Sequence, residues 1–217
     1  MKRREVVRDY GGISAVDRRA ERRAKLLAAG RRLWGESGLR DVTVRGVCAE
    51  AGLIPRYFYE QFGNRDALIF AVSDDVRDQL LEALLTAGVT DPGTLTDKLR
   101  SALTAFLDRI AADPHIHRIA TDDLSGVPGL TEHRAHILEM IADLVVQQAP
   151  AVLSSETPEP AELRRGALFL VGGVNQIIES WLADPVESTT ELASVCADLC
   201  VSVVGNIIGQ PQDRTHH

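Results

Sequence analysis

The sequence predicts an all-α protein of about nine helices, with a small N-terminal helix-turn-helix head of three helices and a larger helical body. Three observations predict it. Apolar residues recur at the i, i+3, i+4, i+7 spacing that gathers them on one helix face. Pro, Gly and Asp clusters stand where those stripes end. No stretch shows the strict alternation of a half-buried strand, and no repeat or low-complexity tract is visible.

In chain order, residues 1–13 are polar, end in Gly11-Gly12 and read as a flexible basic arm. Ser14 with Asp17 three residues later fits a capping box. The helix it opens spans about 15–37 and carries Leu26, Leu27, Gly30, Leu33 and Trp34, with Gly38 as its C-cap. Thr43 is an N-cap candidate for a short helix to about residue 50, with Val44, Val47, Cys48 and Ala51 on its inner stripe. Ala51-Gly52-Leu53 is a turn in which Gly52 is free to take positive φ. Pro55 suits the first turn of another short helix that runs to about Phe62. Gly63-Asn64 breaks it. Asn64 can cap a following helix that starts near Arg65 and carries Leu68, Ile69, Val72, Val76, Leu80 and Leu84.

Beyond it, Asp91-Pro92-Gly93 precedes a stripe from Leu95 to Ile110, and Asp113-Pro114 opens a short segment. Gly126-Val127-Pro128-Gly129 precedes a stripe from Leu130 to Val145, and the three prolines of 150–160 mark a loop. Two long apolar helices follow, about 161–183 and 188–208, separated by Asp184-Pro185. These elements divide the chain into the arm at 1–13, a head at 14–72 and a body at 73–217.

The charge is distributed unevenly. Residues 1–65 hold 15 basic and 8 acidic residues, a net of +7, and the remainder carries −14. Such asymmetry suits a basic head for a polyanion and an acidic body with another task. Solvated arginine-rich helices would give the same sum, so charge alone does not choose. Cys48, Cys196 and Cys200 are too few for a disulfide framework, and Cys196 and Cys200, four apart, read as small residues packed in a helix interface. No apolar stretch follows Met1-Lys2-Arg3-Arg4-Glu5, and no run approaches the roughly 18 apolar residues of a membrane span, so a cytoplasmic protein is expected. No nucleophile–base pairing, phosphate loop or paired carboxylates point to an enzyme, and no cofactor is expected.

Thr43 to Phe62 reads TVRGVCAEAGLIPRYFYEQF. Two short helices joined by a tight glycine turn form a helix-turn-helix, whose second helix can enter the major groove of DNA. The run from Gly38 through Leu68 closely resembles the head of the TetR family of transcriptional regulators. There an Ala-Gly-Val/Leu turn precedes an aromatic-rich recognition helix ending in Tyr-x-x-Phe, and a Lys or Arg opens the next helix. Tyr59, Phe62 and Arg65 occupy those places. The resemblance extends over 15–72 and is architectural thereafter. One departure is Ile54, where the family often has a capping Ser or Thr. Another is Trp34, where a Phe is more usual.

The resemblance implies a DNA-binding regulator acting on a palindromic operator, with no enzymatic activity. Its DNA-binding residues, on geometry and resemblance together, are Thr43, Arg45, Pro55, Arg56, Tyr57, Tyr59 and Arg65. Thr43 opens a helix and can hold a phosphate. Arg45 lies one turn in, and Arg56 and Tyr57 are expected to face outward, with Arg56 on a guanine. Tyr59 matches the family's phosphate-binding tyrosine, and Arg65 is expected on the flanking phosphate. Phe58 and Phe62 are expected in the core.

In TetR-like proteins the last two helices form a four-helix homodimer interface. Here that role falls to Phe169, Gly173, Ile177, Trp181, Val195, Leu199, Val203 and Val204. The middle helices of such proteins enclose a small organic ligand, for which Phe106, Ile110, Met140, Leu144, Phe169 and Asn175 are the candidates. His115, His117, His133 and His136 do not assemble a plausible ligand set, so no metal is expected. Most expected is a ligand-responsive homodimeric repressor. An activator or metal-responsive regulator of the same fold stands as one alternative, and a non-specific architectural DNA binder as another.

Overall fold

The computed structural model describes residues 14–152 and 159–208. The expected arm at 1–13, residues 153–158 of the proline-rich loop and His216-His217 lie outside the described residues. Among the described residues there are nine α-helices and no strand. They are α1 (Ala15–Ser37), α2 (Val44–Ala51), α3 (Pro55–Tyr59), α4 (Arg65–Thr90), α5 (Leu95–Ala112), α6 (Pro114–Thr121), α7 (Leu130–Val152), α8 (Pro160–Ala183) and α9 (Thr189–Ile208). The chain divides into two compact units, one through Asp75 and one from Val76, so the division falls inside α4.

The helix ends of the head follow from local chemistry. The Asp17 N–H donates to Ser14 Oγ at 3.0 Å and the Ser14 N–H donates back to the Asp17 carboxylate at 3.2 Å, closing a capping box. Gly38, at φ 91°, stops α1 with its N–H on the Trp34 carbonyl. A single 3-10 turn, Leu39–Asp41, leads to Thr43, whose hydroxyl accepts the Gly46 N–H at 3.0 Å. Gly52 ends α2 in the left-handed region at φ 64°, ψ 32°, a conformation that costs a residue with a Cβ about 1–2 kcal/mol. Nothing lies within 4 Å of where that Cβ would stand. Gly52→Ala should therefore lower the stability of the head by about 1 kcal/mol through backbone strain alone, read by denaturant titration. An unchanged midpoint would show that the turn relaxes.

The expected recognition helix reaches Phe62, whereas regular helix ends at Tyr59. The difference is one of hydrogen-bond regularity, since the Phe62 N–H still donates to the Phe58 carbonyl at 2.8 Å. Asn64 caps α4 by accepting the Ala67 N–H at 2.8 Å. The head's core holds Leu26, Trp34, Val47, Cys48, Phe58, Phe62, Leu68, Ile69 and Val72, all buried. Gly30 lets α1 approach α4 there, because a Cβ on it would stand 3.1 Å from Leu68.

The body has its own core. α5 packs on α9, α7 on α8, and α8 on α9. Leu107, Ile110, Ile116, Leu130, Leu192 and the small residues Ala193, Cys196 and Ala197 are buried in it. Both α9 cysteines are buried free thiols, so they act as small packing residues. No run of 18 apolar residues occurs in α8, although by length and composition alone it is apolar enough to cross a membrane. Its apolarity has a local cause, because one face packs on its neighbours and another lines the cavity described below.

Candidate nucleic-acid interface and body cavity

The head places a cluster of exposed polar groups around a buried anchor. Phe58 is fully buried and Phe62 nearly so, and their rings pack 5.6 Å apart. That anchor fixes α3 on α1 and α2 and leaves Ile54, Pro55, Arg56 and Tyr59 exposed. Tyr59 stands edge-on to Phe58 with 60% of its surface exposed, an attitude that can present its hydroxyl to a phosphate. Arg45 is exposed on α2. The Thr43 hydroxyl accepts from Gly46 and keeps its own proton to donate. Ile54 makes no side-chain cap, and Pro55 occupies the first turn of α3 in its place.

Arg56, the candidate base reader, is 79% exposed and donates from Nε to Glu60 at 3.0 Å. An exposed pair of this i, i+4 kind is worth only about 0.3–0.5 kcal/mol, so a guanine edge can displace the carboxylate. Glu60 is a residue that sequence reasoning passed over. Its carbonyl accepts from Arg19 at 3.2 Å, and its carboxylate lies 4.0 Å from Arg22. Arg22 in turn covers the Tyr57 ring at 4.6 Å, and Arg23 covers Phe62 at 4.7 Å. The signal was present in the paired arginines Arg18-Arg19 and Arg22-Arg23, four apart on one helix.

Two expected DNA-contact residues are engaged within the protein. Tyr57 does not face freely outward: it is half-buried, and its ring lies under Arg22. Arg65, expected on a flanking phosphate, turns its guanidinium to acceptors within the head. Its Nε donates to the Val42 carbonyl at 2.5 Å, one terminal nitrogen to the Leu39 carbonyl at 2.6 Å and the other to Asp66 at 3.1 Å. The side chain is only 28% exposed. Arg65 therefore braces the turn that leads into the helix-turn-helix against the start of α4.

The body contains a cavity of about 390 Å³. Ten leucines contribute to its wall together with one aromatic residue, Phe106. Its polar contributors among the described residues are Gln148, Asn175 and Cys200, and no charged side chain lines it. Burial pushes the Cys200 thiol up to about 11, so it meets the cavity as an uncharged S–H. Leu85, Val145 and Gln148 both line the cavity and are exposed, which places its mouth among them.

Of the expected ligand residues, Phe106, Leu144 and Asn175 line this cavity. Ile110 does not, being sealed in the core at 1% exposure; Met140 and Phe169 do not either, standing 42% and 68% exposed on the outer surface. Apolar spacing alone cannot say which side of a helix meets a void. Two expected interface residues are likewise otherwise engaged. Trp181 is buried, and its indole N–H donates to the Glu187 carbonyl at 2.8 Å. Val204 lines the cavity. Phe169, Gly173, Val195 and Leu199 are exposed, and Ile177 and Val203 are half-buried. Among the described residues no group of three or more His, Cys, Asp or Glu side chains comes together to hold a metal ion.

Residues 26–72 match the family model of bacterial regulatory proteins, tetR family. That match covers the head from Leu26 to Val72. The fold of the whole chain is similar to that of several solved regulators. One is the TetR family repressor AlkX from Dietzia sp., implicated in biodegradation of n-alkanes; it is 20% identical over 86% of this chain and 96% of its own, with a TM-score of 0.59. FadR from Bacillus subtilis, solved in complex with stearoyl-CoA, is 15% identical over 83% of this chain and 98% of its own, with a TM-score of 0.61. SmeT, the repressor of the Stenotrophomonas maltophilia multidrug efflux pump SmeDEF, is 16% identical over 83% of this chain and 88% of its own, with a TM-score of 0.62. Residues 26–72 thus form a tetR-type head, and the chain shares its all-helical fold with these solved regulators.

Proposed function

We propose that the protein is a cytoplasmic, homodimeric repressor that binds a palindromic operator through its heads and releases it when an apolar ligand enters the body. The observation that carries this reading is the pairing of two sites on one chain. One is an exposed Arg45–Arg56–Tyr59 surface on a head of net charge +4; the other is a separate, uncharged, apolar cavity. Cavities of roughly 300–1,000 Å³ with a few polar groups are the usual form of small-molecule sites. The similar AlkX and SmeT are named as repressors, and the similar FadR holds stearoyl-CoA.

Two heads must present their recognition helices about 34–36 Å apart to enter successive major grooves. α4 is one helix from Arg65 to Thr90, and Leu81, Leu84 and Leu85 near its C-terminal end line the cavity. A ligand that binds one position of this helix better than another shifts the spacing. A coupling of about 1–3 kcal/mol would weaken operator binding roughly 5–150-fold.

DNA binding is tested by comparing Tyr59→Phe with Arg56→Ala on operator and randomised duplexes across a salt titration. Tyr59→Phe should weaken binding to every sequence alike, because phosphate contacts carry no sequence information. Arg56→Ala should instead relax preference at one base pair, by about 1–3 kcal/mol. Equal losses on all duplexes in both variants would remove Arg56 from base reading. A wild-type protein that binds no duplex at low salt would remove the function itself.

A further inference from the structure

We propose that the body cavity selects an uncharged saturated chain ending in a hydroxyl: an aliphatic alcohol, in preference to the alkane or the carboxylate of the same length. This deepens the reading of the body as a ligand domain and rests on it.

The wall settles the body of the ligand. Leu81, Leu99, Leu103 and Leu170 are typical of it, and among the described residues Phe106 is its one aromatic. Such a wall offers flexible aliphatic contact and no pair of rings between which a planar ligand could stack. A saturated chain matches it.

The charges settle what the ligand cannot carry. A carboxylate inside would lose its hydration and meet no counter-ion, since no charged side chain lines the cavity among the described residues. The body's half-buried Arg134 donates to the Ile119 and Ala120 carbonyls at 3.0 and 3.1 Å, and its charge is already met by the nearby Glu179 and Asp122 carboxylates. Arg164 pairs with Asp143 at 3.3 Å.

Asn175 settles the polar end. Its Nδ2 donates to Glu179 Oε1 at 3.1 Å, one turn along α8. A carboxylate only accepts, so the amide nitrogen must be the atom that faces Glu179. The amide orientation is thereby fixed, and Asn175 keeps its carbonyl oxygen as an acceptor on a residue of the cavity wall. An acceptor in an apolar wall calls for a donor. A terminal hydroxyl supplies one, an alkane supplies none, and a carboxylate brings oxygen against oxygen.

The test uses the full chain, with decanol, decane and decanoate as probes, at a pH where the acid is ionised and by calorimetry and thermal shift. Decanol should bind about 3- to 10-fold more tightly than decane, the worth of one hydrogen bond. It should bind at least about 100-fold more tightly than decanoate. Asn175→Leu should erase the preference for decanol over decane while keeping decane binding; Asn175→Ala serves if the leucine variant does not fold. Decanoate binding as well as decanol would overturn the selection against charge, and a decanol preference that survives loss of the amide would overturn the role of Asn175. Either result leaves the ligand domain standing. Failure of all three probes to bind would overturn the ligand-domain reading together with the selection.

Discussion

Leu199→Arg should turn the proposed dimer into a monomer by sedimentation velocity and lower operator affinity by about 1,000-fold or more. Leu199 is 49% exposed on α9, near Val195 at 47%, and Phe169 on α8 is 68% exposed. Gly172 and Gly173 on α8 have nothing within 4 Å of where their Cβ atoms would stand. A partner's helix could approach closely there. In a two-fold interface each substitution occurs twice. An unpaired buried charge costs about 3–5 kcal/mol, so two copies remove about as much free energy as a micromolar dimer has, roughly 8 kcal/mol. A single head reaches one half-site only, so operator binding falls with the dimer. The protomer itself should keep its fold, because Leu199 is exposed within it. Leu192→Arg, at a position 1% exposed, should instead unfold the body. A Leu199→Arg protein that remains fully dimeric would sink the α8–α9 assignment.

Arg65→Ala should lower the stability of the head by about 2–4 kcal/mol and weaken binding to all DNA sequences. The guanidinium makes two short hydrogen bonds to backbone carbonyls, at 2.5 and 2.6 Å. Bonds involving a charged group contribute about 1.5–3 kcal/mol each. The lower part of the summed range applies, because the side chain keeps 28% exposure. Without the brace, the turn at Leu39–Asp41 loses its fixed relation to α4, and the helix-turn-helix that follows it loses its register. Arg65→Lys should not restore stability, since an ammonium cannot span two carbonyls with the planar fork of arginine. Bracing and phosphate contact differ in the salt slope. Loss of a phosphate contact reduces the slope of log K against log salt by about 1, whereas loss of a brace leaves the slope and lowers the melting temperature. A variant with wild-type melting and a reduced slope would return Arg65 to the DNA.

The helix boundaries were legible because each rests on chemistry within three or four residues. Ser14 with Asp17, Thr43 with Gly46, Gly52 at positive φ and Asn64 with Ala67 are all contacts that the chain makes with its near neighbours. The core anchors Phe58 and Phe62 were legible for the same reason, since a short amphipathic helix must bury one face. The contacts of Arg65 were not legible because its partners, Val42 and Leu39, lie 23 and 26 residues back in the chain. A positive charge at a helix start carries no mark that says whether it faces a phosphate or a carbonyl. The body misled in another way. Trp181, Val204 and Phe169 are all apolar residues at helical spacing, yet one is core, one is cavity wall and one is outer surface. Periodicity separates the inside of a helix from its outside, but it does not separate a filled interior from an empty one.

The two tryptophans divide one to each unit: Trp34 is buried in the head, and Trp181 is buried in the body on the same helix as Asn175. The protein's ultraviolet emission is therefore the sum of two optical channels, one in the DNA-binding half and one in the half with the cavity. Replacing Trp34 by phenylalanine silences the first and leaves the second. Emission changes on adding DNA and on adding a hydrophobic compound can then be assigned to halves of the molecule, without attaching any dye.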